Sequence, residues 1–406
     1  MESFNKRVQQ YQQRFGLKNH QSSFSLSAGC RLCIVIPCFD EEPEHTIQSL
    51  SACTSVENTE VILVFNHSES AEERIKEKHQ RQLQTYKYQK LKNGLVVQSM
   101  AAFDLPKKHA GVGLARKIGM DAALYAFAEI NYDGLIVCLD ADCTVSINYV
   151  EVLKSAEAKA INGCSIYFEH PIDELSDFKE QAILNYEVFL RAYVHALRAS
   201  GYPNAFHTVG SSMAVRASIY AKIGGMNKRK AGEDFYFLHK LIPQGAFYDV
   251  TDATVYPSSR ISYRVPFGTG RAMSEIEQGT KDFSHFYNHK IFVHLKEFHD
   301  DLKSFFETGM VGHEIMKDFF MQQNLLSELD GLRSRSVHYE QFLRNFSFWW
   351  DGFKVLKFVH HFKENKYKNE DVLANAIKMY HQTFDTLSSY VTYLRLKDRN
   401  SDFKLK

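Results

Sequence analysis

The chain has 406 residues, 49 Lys and Arg against 48 Asp and Glu, a formal net charge of +1, and 44% hydrophobic and 24% charged residues. This is the composition of a globular protein with apolar content for a sizeable core, and it gives no global reason to expect nucleic acid or an anionic membrane as partner. The length argues for two domains, or one large domain with an appendage.

Residues 1–28 read as a polar, partly helical leader without the apolar core of a signal peptide. No run approaches the roughly 18 apolar residues of a membrane-spanning helix. A cytoplasmic location is therefore expected, with peripheral membrane association left open. The cysteines at 30, 33, 38, 53, 138, 143 and 164 are odd in number, and several fall inside apolar runs. Free, buried thiols in a reducing compartment account for them. Cys30 and Cys33 have the spacing of a metal or redox pair, but no second Cys-x-x-Cys or Cys-x-x-His follows.

From there strands and helices alternate. Arg31 to Pro37 is a continuous apolar run, as for a strand buried on both faces, and Pro37 is expected to end it. Glu44 to Ala52 predicts a short amphipathic helix, Glu60 to Phe65 a second buried strand, and 69–92 a charged helical stretch. Gly94 to Gln98 predicts a third strand, Gly111 to Ile130 an Ala-rich helix, and Leu135 to Leu139 a further strand. Such alternation implies βαβ units and a mostly parallel sheet. Beyond it, Ser165 to Phe168 and Val250 to Tyr256 read as strands, Thr208 to Arg216 as strand-like, and Asp177 to Ala199 and Phe235 to Leu241 as helices. Arg260 to Arg271 reads as a loop. No proline follows Pro266, and the remainder alternates charged and aromatic residues at helical spacing. The expected organisation is a leader over 1–28, an α/β domain over 29–275 and a mainly α-helical region over 280–406, read as a separate domain, a cap on the α/β part or an assembly module. The Trp349–Trp350 cluster reads as helix-packing core rather than as a sugar platform.

Asp140-Ala141-Asp142 follows the apolar run 134–139 directly. Two carboxylates one residue apart at a strand end suit a hard divalent cation, Mn²⁺ or Mg²⁺, whose remaining ligands are phosphate oxygens; the plain alternative is an acidic turn. Asp40, Glu41 and Glu42 follow the first strand at the carboxyl edge of the sheet, where α/β folds bind ligands. They could accept from ribose hydroxyls or simply be solvated. Arg116 and Lys117 follow a glycine-rich helix entry suited to a diphosphate; exposed helical cations are the bland reading. Glu233 and Asp234 open a helix after Gly232, either as N-terminal acids or as a general base and its orienting partner. The arginines of the 260–271 loop, Arg271 among them, could close over phosphates.

In this order the motifs resemble glycosyltransferase family 2. Ile34-Val-Ile-Pro-Cys-Phe-Asp-Glu-Glu42 is similar to the family's opening segment and Glu60-Val-Ile-Leu-Val-Phe-Asn-His-Ser68 to its second-strand segment. Gly113-Leu-Ala-Arg-Lys-Ile-Gly119, Leu139-Asp-Ala-Asp142 and Gly232-Glu-Asp234 resemble its helix, D-x-D and E-D motifs. The resemblance spans 33–240 and leaves the C-terminal third uncovered. It implies a GT-A fold: Rossmann-like, α/β, with a mostly parallel mixed sheet flanked by helices.

The resemblance further implies a metal-dependent transfer of one sugar from a nucleotide-diphosphate donor, a UDP-sugar in first place, to a hydroxyl acceptor. Pro37, Asp40, Glu42, Asn66, Arg116, Lys117, Asp140 and Arg271 would hold the donor, with Asn66 where the family has an Asp that contacts the base. Asp142, with Asp140, would hold the metal, joined in many such enzymes by a histidine, for which His285 and His289 are candidates. Gly210 and Ser211 resemble the acceptor-side turn. Asp234 would be the base of an inverting displacement, with Glu233 orienting it; retention stays open. The processive signature Q-x-x-R-W is absent. A sugar-phosphate nucleotidyltransferase would need a Gly-rich turn where Pro37 to Glu42 stand. A catalytically silent nucleotide- or carbohydrate-binding protein is the alternative from another class.

Overall fold

A computed structural model describes residues 2–17, 24–172, 175–230, 232–260 and 268–405. The chain divides into two compact units, one of Met1–Glu174, Thr208–Ser274 and Asp398–Lys406, the other of Leu175–His207 and Glu275–Lys397.

The first unit is built on a nine-stranded mixed sheet among the described residues. Its strands are β1 (Leu32–Cys38), β2 (Thr59–Ser68), β3 (Tyr88–Lys90), β4 (Val96–Leu105), β5 (Leu135–Cys138), β6 (Thr144–Val145), β7 (Gly163–Phe168), β8 (Met213–Arg216) and β9 (Phe247–Tyr256). They lie in the order β3-β4-β2-β1-β5-β8-β7-β9-β6. The central strands β4, β2, β1 and β5 are parallel. Every residue of β1 is buried, which explains an apolar run without alternation. Pro37 does not end this strand as expected but lies within it. β5 pairs with β1 only as far as Val35, so an imino nitrogen beyond that point breaks no ladder to β5.

Helices α1 (Glu2–Phe15), α2 (Glu44–Ser51), α3 (Glu73–Thr85), α4 (Val112–Glu129) and α5 (Tyr149–Ala158) precede α6 (Asp177–Ala199), which belongs to the second unit. Next come α7 (Ala217–Lys222), α8 (Glu233–Leu241) and α9 (Thr269–Glu277), which runs across the division at 274. α4 packs on β1 and β2. Gly119 makes that approach possible, because a Cβ there would press on Val35 and stand 2.7 Å from a Val64 methyl. The stretch expected as a polar leader contributes α1, whose Phe4, Val8 and Tyr11 are buried in contact with α4 and α7. The last residues return to the same unit, where Ser401 donates to Asp249 at 2.6 Å.

The topology creates the site. Strand order reverses on either side of β1, with β2 on one flank and β5 on the other, and crevices form at the carboxyl ends of such strands. β8 runs antiparallel to β5 with Met213 opposite Cys138. The turn before β8 therefore arrives at the edge where β5 ends.

The second unit is helical apart from a two-stranded pairing of β10 (His285–Phe286) and β11 (Glu370–Asp371). Besides α6 it holds α10 (His289–Asp300), α11 (Leu302–Thr308), α12 (Glu314–Gln322), α13 (Leu326–Ser334), α14 (Tyr339–Trp349), α15 (Gly352–Asn365), α16 (Val372–Tyr380) and α17 (Leu387–Arg399), whose last turn passes into the first unit. Its core is aromatic: Phe298, Phe319, Phe320, Phe346, Phe358 and Trp350 are buried and touch ring to ring. Among the described residues no helix is long and apolar enough to cross a membrane.

Candidate active site

Arg116 stands at the centre of the site. It sits one turn into α4, is 3% exposed, and ion-pairs with Asp140 at the end of β5 and with Glu233 at the start of α8. A cation buried to this degree needs partners of opposite charge, and the two acids supply them. Its Nε has no hydrogen-bond partner among the described residues. Gly210 lies against the guanidinium, so that a Cβ there would stand 2.6 Å from Nη1. Gly113 admits Arg229 and Glu233, since a Cβ there would stand 2.9 Å from that of Glu233.

The two acids that open α8 differ in setting. Glu233 is buried, and its backbone carbonyl accepts from Asn227 at 3.0 Å. Burial pushes its carboxyl up to about 7 against the opposing pull of Arg116. Asp234 is half-buried, and desolvation raises its pKa as well, opposed by Arg116 and by the N–H groups of Phe235 and Gly210. The Phe235 N–H donates to Asp234 Oδ1 at 2.8 Å. A carboxyl with a raised pKa beside a cation, at the open edge of a sheet, is equipped to take up a proton.

Asp140 and Asp142 have side chains 36% and 29% exposed. Asp142 accepts from Arg260 at 2.9 Å, and the same guanidinium nitrogen reaches Glu41 at 2.5 Å. The donor chemistry fits a hard divalent cation: two partly exposed carboxylates one residue apart, whose other ligands would be phosphate and water oxygens. Arg260 holds one of those carboxylates and would be the group displaced.

Other expected donor ligands are placed differently. Asp40, in a left-handed backbone conformation (φ 49°), pairs with Arg74 at 3.1 Å and Lys78 at 3.3 Å. Glu42 pairs with Lys78 at 3.0 Å and accepts from Gln82 at 2.8 Å. Asn66 is buried and donates to the Cys38 carbonyl at 3.0 Å, tying the ends of β1 and β2 together. Lys117 points away from its neighbour Arg116 into a buried network. It lies 3.0 Å from Asp121 and 2.6 Å from the Tyr11 hydroxyl, and Tyr11 and Tyr220 each donate to Asp121 at 2.6 Å. Arg271 falls in α9 rather than in a loop, and 261–267 lie outside the described residues. Ser211 is buried beside Cys143. His285 and His289 lie in the helical unit, near Asp282 and Glu370. Cys30 and Cys33 form no bridge, both are buried, and burial raises both thiols.

Two features escaped the sequence reading. One is the bridge from Arg260 to Glu41 and Asp142, which joins residues 219 and 118 positions apart; no local signal carries it. The other is a cavity of about 400 Å³ lined by His67, Phe103, Asp104 and residues of α3. His67 and Phe103 stack there at 4.5 Å between centroids. The His67 of the second-strand segment was the available signal.

No family model matches the sequence, and no curated protein matches it. Among solved structures the chain is similar to S. aureus TarS, with 9% identity and a TM-score of 0.34 over 62% of this chain. The alignment spans 43% of that chain, less than half of its length. A likeness this distant carries no argument, and the geometry stands on its own.

Proposed function

We propose that the first unit is a metal-dependent glycosyltransferase that moves one sugar from a nucleotide-diphosphate donor, a UDP-sugar before others, to a hydroxyl acceptor. One observation carries the reading: Arg116 joins Asp140 and Glu233, gathering the strand-end acid pair and the helix-start acid pair at one sheet edge. Metal and leaving group need one pair, and proton transfer needs the other.

In this reading Asp142 and Asp140 hold Mn²⁺ or Mg²⁺, which supplies Lewis-acid stabilisation of the departing diphosphate. Arg260 exchanges its carboxylate partners for phosphate oxygens, and Arg116 keeps Asp140 in place. Asp234 accepts the proton of the acceptor hydroxyl as its oxygen bonds to the anomeric carbon and the bond from that carbon to the diphosphate oxygen breaks. Glu233, pinned by Arg116, positions Asp234. The turn at Gly210 and Ser211 lets a sugar approach backbone.

The test is donor hydrolysis, water standing in for the acceptor, followed as nucleoside diphosphate release from a panel of nucleotide sugars with Mn²⁺. Asp234→Asn should bind donor with unchanged affinity and turn over at least about 100-fold more slowly, the lower bound for general-base loss. Equal turnover by wild type and Asp234→Asn removes Asp234 from the mechanism. A silent binding protein would bind a nucleotide and release nothing.

A further inference from the structure

The helical unit contains a constellation that sugar transfer does not use. His294 and Glu297 lie three residues apart on α10 and so share a face. His313, immediately before α12, comes to the same point. His294 Nδ1 is 3.0 Å from Glu297 Oε2, and His313 Nε2 contacts that same oxygen. The three potential ligand atoms all lie within 4.8 Å of one another. Among the described residues this is the one group of three or more His, Cys, Asp or Glu side chains placed so closely.

We propose that His294, Glu297 and His313 bind a zinc ion that fastens α10 to the start of α12. Two imidazoles and a carboxylate are the donor set of an open zinc site, with water in the fourth position. Imidazole nitrogen selects zinc over the hard cations that suit Asp140 and Asp142. Ligand atoms on a tetrahedral zinc at ordinary bond lengths stand about 3.3 Å apart, and the three candidate atoms, all within 4.8 Å of one another, reach that spacing with small side-chain adjustments. The outer shell is present too. The other ring nitrogen of His294 lies 2.8 Å from the Tyr367 hydroxyl, and the two rings stack. With the hydroxyl accepting from Nε2–H, Nδ1 is the nitrogen left to ligate. Glu297 is 48% exposed while both histidines are about four-fifths covered.

The test uses the full, untagged chain stripped with chelator and titrated with Zn²⁺ by calorimetry, then with Co²⁺ followed by visible absorption. The expected result is one Zn²⁺ per chain, a rise in melting temperature, and the d–d bands of tetrahedral cobalt. His294→Gln and His313→Gln should each weaken Zn²⁺ binding beyond the roughly 100-fold reached by loss of an outer-shell partner, and Tyr367→Phe by about tenfold. Asp142→Asn should bind zinc as the wild type does, which separates this site from the carboxylate pair of the first unit. Melting of metal-free variants shows whether they fold. If a histidine variant does not, the cobalt spectrum of the wild type and the Tyr367→Phe affinity still decide. No zinc in the wild-type chain, or zinc bound equally by both histidine variants, overturns the proposal.

Discussion

Arg116 and Glu233 form an ion pair in which each side chain is 3% exposed, across 117 positions of sequence. The pair joins the helix that packs on the sheet centre to the helix that opens with both candidate catalytic acids. Removing one partner of a buried pair leaves the other buried without its counter-charge. Arg116→Ala should therefore cost about 3–5 kcal/mol at pH 8, read from denaturant midpoints. Arg116→Lys should recover only part of this, since an ammonium cannot reproduce a fork between two carboxylates. A loss below 1 kcal/mol for the alanine variant, roughly that of a surface pair, would contradict this description of the pair.

Glu233 gives the site a pH signature. Its carboxyl is raised to about 7 in the fold, chiefly by burial, against an ordinary value of 4.5. A group raised on folding adds stability below its unfolded pKa and loses it as pH rises through the folded one. Wild-type stability relative to Glu233→Gln should thus fall between about pH 4.5 and pH 7 and level off above. Arg116 pulls the carboxyl down, so in Arg116→Ala the upper edge of the window should extend to higher pH while the lower edge stays near 4.5. Parallel stability profiles of wild type and Glu233→Gln across that range would contradict it.

His299 should give the helical unit the opposite dependence. Its Nδ1 lies 2.6 Å from the Ser200 carbonyl and its Nε2 accepts from the Trp350 indole at 3.1 Å. A carbonyl only accepts and an indole N–H only donates, so the ring is neutral with its proton on Nδ1. Burial lowers its pKa from 6.5 to about 4. A depressed group contributes stability above its unfolded pKa and loses it as pH falls through the folded value. Melting followed by tryptophan fluorescence should show acid loss between about pH 6.5 and pH 4, diminished in His299→Gln.

Gly119→Ala should destabilise the first unit by about 1–3 kcal/mol, the usual range for overpacking. The added methyl would meet Val35 and Val64 on adjacent strands. Val64→Ala in the same chain should relieve part of that cost, a non-additivity a double-mutant cycle measures.

Arg260 holds Asp142 and, under the proposed function, would compete with a cation for it. Arg260→Gln should tighten Mn²⁺ binding in the absence of nucleotide and weaken binding of a nucleoside diphosphate. Calorimetric titration of each variant checks both signs, and a change of the same sign for both would contradict the exchange of partners.

Sequence patterning was most informative where it was local. β1, β2 and β5 announce themselves because strands buried on both faces must be apolar throughout, and the acids that follow them are placed at the sheet edge by chain continuity. Arg116 and Lys117 show where that reasoning ends. Neighbours on a helix are turned by about 100° from each other, so one meets Asp140 and Glu233 while the other is buried with Asp121, Tyr11 and Tyr220. Nothing in the sequence separated their roles. Tyr11 itself belongs to a stretch whose polarity suggested a leader, yet one face of α1 carries Phe4, Val8 and Tyr11 into the core. The bridge from Arg260 to Asp142 and the approach of His313 to α10 are long-range pairings, which periodicity does not encode.

The central claim is that Asp140 and Asp142 hold a cation against a nucleotide diphosphate. Its most direct test is thermal melting of wild type and Asp142→Ala with and without Mn²⁺, across UDP-, GDP-, dTDP- and CMP-sugars. One nucleotide class should raise the wild-type melting temperature only when Mn²⁺ is present, by an amount equivalent to about 2.7 kcal/mol at a hundredfold excess over Kd. The same ligand should leave Asp142→Ala unmoved. A melt unaffected by every nucleotide, or a shift that survives in Asp142→Ala, would contradict the claim.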